Sequence, residues 1–536
     1  MPKMVAKWQE IAKKKRAQLA YTIPQEWVIP DDIKPPETQL DVTAFPEQSG
    51  WFTPKELEIT SASATNILAK TTTGEWSAEE VTWAFCKRAS AAQQLTNCLS
   101  ETLFQQAVAS SKALDAHFQQ TGKPKGPLHG LPISIKDNFN VIGVDSTVGF
   151  ASWVGHPAVY NATLVDILQD AGAVLYVKTN VPTAMMIAET VNNVFGRTLN
   201  PLNRKLTSGG SSGGESALIA FGGSPLGIGT DIGGSLRIPA AMTGIFTLRP
   251  SFGRFPTLKC KSGLAGQEAV QSVNGPMSQH LHDLSIFAKA VVGSEPWLQD
   301  PRCLPIPWRT VEKKQKLKIG VMRNDGLVLP TPPVARALEE TVTKLKAAGH
   351  EIVDWAPDGH KEAITMLARI ELFLISSHPN EYRRVALGEP FRPEMEMYSV
   401  AKELGTHTMW QLQIERTELS KAYLDRWNRC EGLDAILCPT TPYASVEHEN
   451  FKYVGYTAVF NVIDYSAVSF PSGIKADKEQ DKASTMQPLS DICATIQDLY
   501  NAEGVHDMPV SLQLVARRLE EEKVLMMTEV VLEALQ

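Results

Sequence analysis

Residues 162–177 read Ala162-Thr163-Leu164-Val165-Asp166-Ile167-Leu168-Gln169-Asp170-Ala171-Gly172-Ala173-Val174-Leu175-Tyr176-Val177. Leu164, Ile167 and Leu168 fall three and four apart, on one side of a helix predicted over Ala162 to Asp170. Gly172 can close that helix, because glycine takes the left-handed backbone that a helix end needs. Ala173 to Val177 is then a continuous apolar run, the pattern of a buried strand.

The same order recurs downstream. Leu317 to Met322 reads as a strand, and Pro332-Pro333 opens a helix whose Val334, Leu338, Val342 and Leu345 share a face. Gly349 ends that helix, and Glu351 to Trp355 is the next strand. Gly432 to Pro439 and Pro509 to Val515 read as further strands, and Leu519 to Leu535 as a final helix. Repeated helix-glycine-strand units predict an α/β fold with a largely parallel or mixed sheet. No linker cuts residues 61–536, so they are expected to form one domain, with the polar stretch 474–500 as a surface excursion.

Residues 1–60 read as a helical and extended arm. Lys3 to Arg16 is basic, with Trp8, Ile11 and Leu19 its few large apolar residues. A membrane-surface helix and a solvated helix packed on the body are both open to such a segment, and the second is simpler. Pro30, Pro35 and Pro36 mark an extended connector. Ser77-Ala78-Glu79-Glu80 has the form of a capping box.

Composition excludes several classes. The 536 residues are 43% hydrophobic, enough for a sizeable core, and carry a net charge of −7. With no basic stripe, nucleic-acid binding is not expected. No apolar run is long enough to span a bilayer, and the N-terminus has no signal-peptide core. The seven scattered cysteines show no CxxC spacing, which argues against a disulfide framework or a zinc site. A reducing compartment, the cytoplasm, is the expected location.

The chemistry concentrates between Lys136 and Ser235. One glycine-rich turn is Ser208-Gly209-Gly210-Ser211-Ser212-Gly213-Gly214, and a second is Asp231-Ile232-Gly233-Gly234-Ser235. Upstream, Leu131-Pro132-Ile133-Ser134-Ile135 carries Lys136 to the end of an apolar strand. A serine attacks a carbonyl only when a base takes its proton and donors hold the oxyanion. Glycines let backbone N–H groups come close to a substrate. A desolvated lysine loses its charge readily and can serve as that base. These features predict a serine–lysine hydrolase that uses no histidine.

Blander readings fare worse. Gly209-x-Ser211-x-Gly213 matches a nucleophile elbow, but an elbow follows a buried strand, and Asn200 to Ser208 is polar and contains Pro201. No Gly-Lys-Ser/Thr follows, so a phosphate loop is not supported. A lysine ending a strand is ordinarily a solvated charge. His129 and His506 have no evident catalytic partners and read as structural.

The segments 128–138, 207–217 and 227–240 resemble the amidase signature family in motif and in spacing. Within it the chain looks closest to the fungal acetamidases, through stretches such as Phe85-Cys86-Lys87-Arg88, Glu189-Thr190-Val191-Asn192-Asn193 and Asn461-Val462-Ile463-Asp464-Tyr465. The resemblance implies one large α/β/α layered domain with a twisted mixed sheet and an N-terminal helical arm. It implies Ser235 as nucleophile, Ser211 as bridging serine on a cis peptide, and Lys136 as neutral base. Backbone N–H groups of Ile232, Gly233, Gly234 and Ser235 would form the oxyanion hole. Ser212 would help orient Lys136, and Asp231 and Arg237 would brace the turn as an ion pair.

The implied substrate is a small-molecule amide, with short aliphatic amides such as acetamide favoured. Carbamates and aryl or fatty acylamides are alternatives, as is a vestigial site in a binding protein. No metal or organic cofactor is implied, and a homodimer is the implied oligomer. Two departures from the family pattern stand out. Ser216 replaces a frequent glycine and would narrow the site. Asp464-Tyr465-Ser466-Ala467 replaces a Gly-x-Pro stretch. Met185, Met186, Thr190 and Tyr465 are candidate pocket walls.

Overall fold

The computed structural model describes residues 7–377, 388–395 and 405–536. Eleven strands form one sheet. In chain order they are β1 (Leu99–Thr102), β2 (Pro132–Lys136), β3 (Val174–Thr179), β4 (Leu226–Asp231), β5 (Phe246–Arg249) and β6 (Val273–Ser278). Then come β7 (Lys318–Val321), β8 (Glu351–Asp354), β9 (Ala435–Pro439), β10 (Ala467–Lys475) and β11 (Pro509–Val515). Their spatial order is β1-β3-β2-β4-β6-β5-β10-β11-β9-β7-β8. β3, β2 and β4 run parallel, as do β9, β7 and β8, and the strands between these two groups are antiparallel. The sheet is therefore mixed, as expected.

The inner strands are buried on both sides because both faces are covered, while the edge strands β1 and β8 are only partly buried. Ala435 and Leu437 of β9 enter one core while Ile436 and Cys438 enter another. In β11, Leu512 and Leu514 join the first core and Val515 the second. Successive side chains of a strand point to opposite faces, so two cores on alternating residues mean helices on both sides. Each fully buried aliphatic side chain contributes about 1.5–3 kcal/mol to this packing.

The fold-deciding stretch forms as read. A helix covers Thr163–Asp170, Gly172 sits at φ +89°, and β3 follows. The later helix runs Pro332–Ala347 and buries Val334, Leu338, Val342 and Leu345. Ser77 and Glu80 form the capping box of a helix over Ala78–Thr96. The final helix starts two residues later than expected, at Glu521, because Leu519 lies at φ +63°. The stretch 474–500 is only partly a surface excursion, since a short helix, Asp491–Asp498, buries Cys493 and Ile496.

The arm is more deeply integrated than its basic composition suggests. Its helix, Lys7–Tyr21, buries Ala12, Lys15 and Leu19. Lys15 is a buried partner of Glu101 and, at 2.8 Å, of Asp145. Ile23, Trp27, Val42 and Phe45 join the main core. No helix among the described residues is long and apolar enough to cross a membrane.

Candidate active site

Lys136 ends β2, in the parallel part of the sheet between β3 and β4. It is fully buried. Its Nζ donates to Ser211 Oγ at 2.7 Å and to Thr230 Oγ1 at 2.8 Å. Burial pushes the amine down to about 7, and the carboxylates of Asp231 and Glu215 only partly offset that. The ammonium lacks the water shell it would need, so the neutral form becomes accessible near neutral pH.

Ser211 comes from the first glycine-rich turn, and the Gly210–Ser211 peptide bond is cis. The turn opens a buried helix, Gly213–Ala220. Glycine is required at 210, because a Cβ there would stand 2.6 Å from Ile187 O. Thr190 ties the turn down: its Oγ1 accepts from Gly213 N and donates to Gly209 O, both at 3.0 Å.

Ser235 follows β4 on the second turn and opens onto a cavity of about 340 Å³. Gly210, Ile232, Gly233 and Ile238 line the cavity with it. Met185, Met186, Ile187 and Ala188 form one wall, and Phe451, Tyr453 and Val454 another. The turn is braced from behind. Asp231 accepts from Gly234 N at 2.8 Å, Leu236 N at 3.2 Å and Arg237 Nε at 3.1 Å. Asn461 Nδ2 also donates to Asp231, at 2.8 Å. Burial alone would raise this carboxyl, but Arg237, Arg249 and Asn461 outweigh it and hold Asp231 well below the usual carboxylate range. Thr457 Oγ1 lies 2.7 Å from Gly233 O, holding the same turn from the helix Gly455–Val462.

Several expectations need correction. Gly234 does not offer its N–H to the cavity, because Asp231 has taken it. Among the described residues, the N–H groups of Ile232, Gly233 and Ser235 have no protein acceptor. Ser212 makes no hydrogen bond to Lys136 among the described residues: its Oγ exchanges hydrogen bonds with the Thr230 backbone at 3.3 Å. Thr230 is the second partner of the amine instead. Ser216 does not narrow the cavity, since its hydroxyl is taken up by Ser208 O and Gly213 O. Of the candidate walls, Met185 and Met186 line the cavity, Thr190 braces the serine turn, and Tyr465 lies in the core. Asp464 binds Arg249 and Arg518 rather than facing the cavity. The stretch before the serine turn is a short ribbon, Leu199–Asn200 with Asn203–Thr207, outside the main sheet.

Two residues escaped sequence reasoning. Thr230 is one, and its only signal is its place beside Asp231 at the end of an apolar strand. Glu215 is the other. It is fully buried, bonded by Ser134 and, at 2.7 Å, by Thr179. Burial raises its carboxyl to about 7 despite those bonds and the nearby Lys136. His129 accepts from Lys125 N and His506 from Lys478 N, and neither lines the cavity.

A mixed α/β sheet that sets a buried lysine, two serine turns and free backbone donors around one cavity defines a class of hydrolase. The family model described as Amidase matches residues 80–525. An acetamidase of Emericella nidulans is 41% identical over 543 residues, covering 98% of each chain. An acetamidase of Aspergillus oryzae is 38% identical over 543 residues, again covering 98% of each. A solved fatty acid amide hydrolase superposes with a TM-score of 0.93 at 33% identity, covering 98% of this chain and 95% of its own. A bacterial aryl acylamidase shares the fold at 20% identity, with a TM-score of 0.73 over 88% of this chain and 96% of its own. The chain belongs to the amidase signature family. It is a hydrolase acting on amide C–N bonds.

Proposed function

We propose that this enzyme hydrolyses short aliphatic carboxamides such as acetamide through a Ser235 acyl-enzyme. The observation that carries the mechanism is the 2.7 Å contact between Lys136 Nζ and Ser211 Oγ inside a fully buried site. In the neutral amine the polarity of that contact reverses. Ser211 Oγ–H donates to the lone pair, while Thr230 Oγ1 keeps an amine N–H. Ser235 Oγ then attacks the carbonyl carbon and passes its proton to Ser211, whose own proton goes to Lys136. The oxyanion accepts from the N–H groups of Ile232, Gly233 and Ser235. Collapse breaks the C–N bond, and the leaving nitrogen takes the proton back through Ser211. Water cleaves the ester by the same relay. Asp231 and Arg237 hold the turn and touch no reacting atom.

The acetamidase relatives support the short-chain preference. A second reading, longer acyl amides at the same site, is favoured by the cavity. Its volume of about 340 Å³ falls at the small end of pockets that hold drug-sized ligands, roughly 300–1,000 Å³. The test is a fluorophosphonate adduct mapped by mass spectrometry, combined with an amide panel. The adduct is expected on Ser235 and absent from Ser235→Ala. An adduct on Ser211 would overturn the assignment. Inert acetamide and propionamide beside active long-chain amides would move the preference to the second reading.

A further inference from the structure

Three stretches that line the cavity converge on one guanidinium outside it. Arg197 Nη1 donates to Glu189 Oε2 at 2.8 Å, and Nη2 donates to Glu394 Oε1 at 2.9 Å and Glu449 Oε1 at 3.3 Å. All three glutamates belong to the cavity wall, and Arg197 does not. The side chains of Glu189 and Glu394 are 5% and 10% exposed, whereas that of Glu449 is 70% exposed. The cluster therefore runs from the interior to the rim.

Each stretch is held at a second point. Glu189 accepts from Glu449 N at 2.9 Å and Phe451 N at 3.1 Å, which fixes the loop carrying Phe451 and Tyr453. Asn193 Nδ2 donates to Glu389 Oε1 and Pro390 O, and Ala151 N donates to Glu389 Oε2, so the segment carrying Glu394 is pinned as well. A planar fork can hold several carboxylates in set directions, which the point charge of lysine cannot do.

We propose that Arg197 is a specificity-positioning residue: it sets the apolar wall against which acyl groups longer than acetyl or propionyl pack. This rests on the reading of Ser235 as an acylated nucleophile. Acetamide carries a single methyl beyond its carbonyl and so offers little surface to pack against the Phe451 wall. A longer acyl chain depends on where that wall stands.

The experiment compares acetamide and hexanamide in wild type, Arg197→Met and Arg197→Lys. In Arg197→Met the KM for hexanamide is expected to rise about tenfold or more, the scale of lost methylene contacts in a pocket, with acetamide kcat within about twofold. Arg197→Lys should lie between wild type and the methionine variant. Equal losses for both amides would show a general structural role and overturn the proposal. No change in either would show that the wall is set elsewhere, and would overturn it too. If Arg197→Met does not fold, Arg197→Lys carries the same comparison, and a hexanamide KM equal to wild type overturns it. Labelling of Ser235 by short-chain and long-chain alkyl fluorophosphonates separates the two readings. A long-to-short rate ratio that falls in the variants supports the Arg197 role even if no amide turns over. Absence of any Ser235 adduct in wild type defeats the mechanism instead.

Discussion

Thr230 Oγ1 and Lys136 Nζ stand 2.8 Å apart in a fully buried site, and this contact sets which amine hydrogen points away from Ser211. It leaves the lone pair of the neutral amine for the bridging serine. Thr230→Val removes the acceptor while keeping the shape. The hydroxyl favours the charged amine, so its loss should move the alkaline-rising limb of kcat/KM to lower pH. The plateau should fall about tenfold or more, because the amine is no longer oriented. An unchanged plateau would show that Ser211 alone orients the amine.

The pH profile of wild type tests the base itself. Lys136 works only when neutral, and burial holds it near 7. The rate kcat/KM should therefore be low below pH 6 and rise through an ionisation near 7, which reports the free enzyme. Lys136→Ala should remove that limb with nearly all activity. Lys136→Arg should be almost as poor, because a guanidinium stays protonated. Near wild-type turnover in Lys136→Arg would show that the site needs a positive charge and no proton acceptor.

Glu215 tunes the same limb from behind. Its carboxylate favours the charged form of Lys136, so Glu215→Gln should make the amine easier to deprotonate. The limb is expected to shift to lower pH. Ser134 and Thr179 donate to different oxygens of Glu215, so in the glutamine one hydroxyl keeps donating to the amide oxygen while the other must rotate to accept from the amide NH2. Kinetics in overlapping buffers between pH 5 and pH 9 would read the shift, and a limb moving upward would sink the assignment.

Breaking the brace under the second turn should be costly. Arg237 and Asp231 are both fully buried. Arg237→Met strands the carboxylate, and removing one partner of such a pair costs about 3–5 kcal/mol. Thermal or denaturant unfolding should show the loss. A change no larger than about 1 kcal/mol, the scale of an exposed pair, would mean that Asn461 and the backbone donors hold Asp231 unaided.

The helix-glycine-strand order is legible in the sequence because each unit carries its own period and its own stop. Gly172 and Gly349 do adopt left-handed backbone, and the apolar faces of the flanking helices are the buried ones. The serine turns are legible because clustered glycines next to serine have few structural explanations. The depth of the basic arm is not legible, because a row of lysines reads as solvated. Nothing local signals that Lys15 meets Glu101 and Asp145, both far along the chain.

What the sequence determined by itself is the set of parts: the α/β class, the buried strand ending in Lys136, the two serine turns and the Asp231–Arg237 pair. These depend on neighbours a few residues apart. Only the tertiary structure decided which hydroxyl meets the amine and which segments wall the cavity. Asp231 withdraws the Gly234 N–H through a bond only three residues long, but Thr230 displaces Ser212 as the partner of Lys136 because adjacent strands fix side-chain directions that no local pattern encodes. Arg197 gathers Glu189, Glu394 and Glu449 for the same reason: a long-range ion cluster exists only once the sheet has brought distant loops to one end.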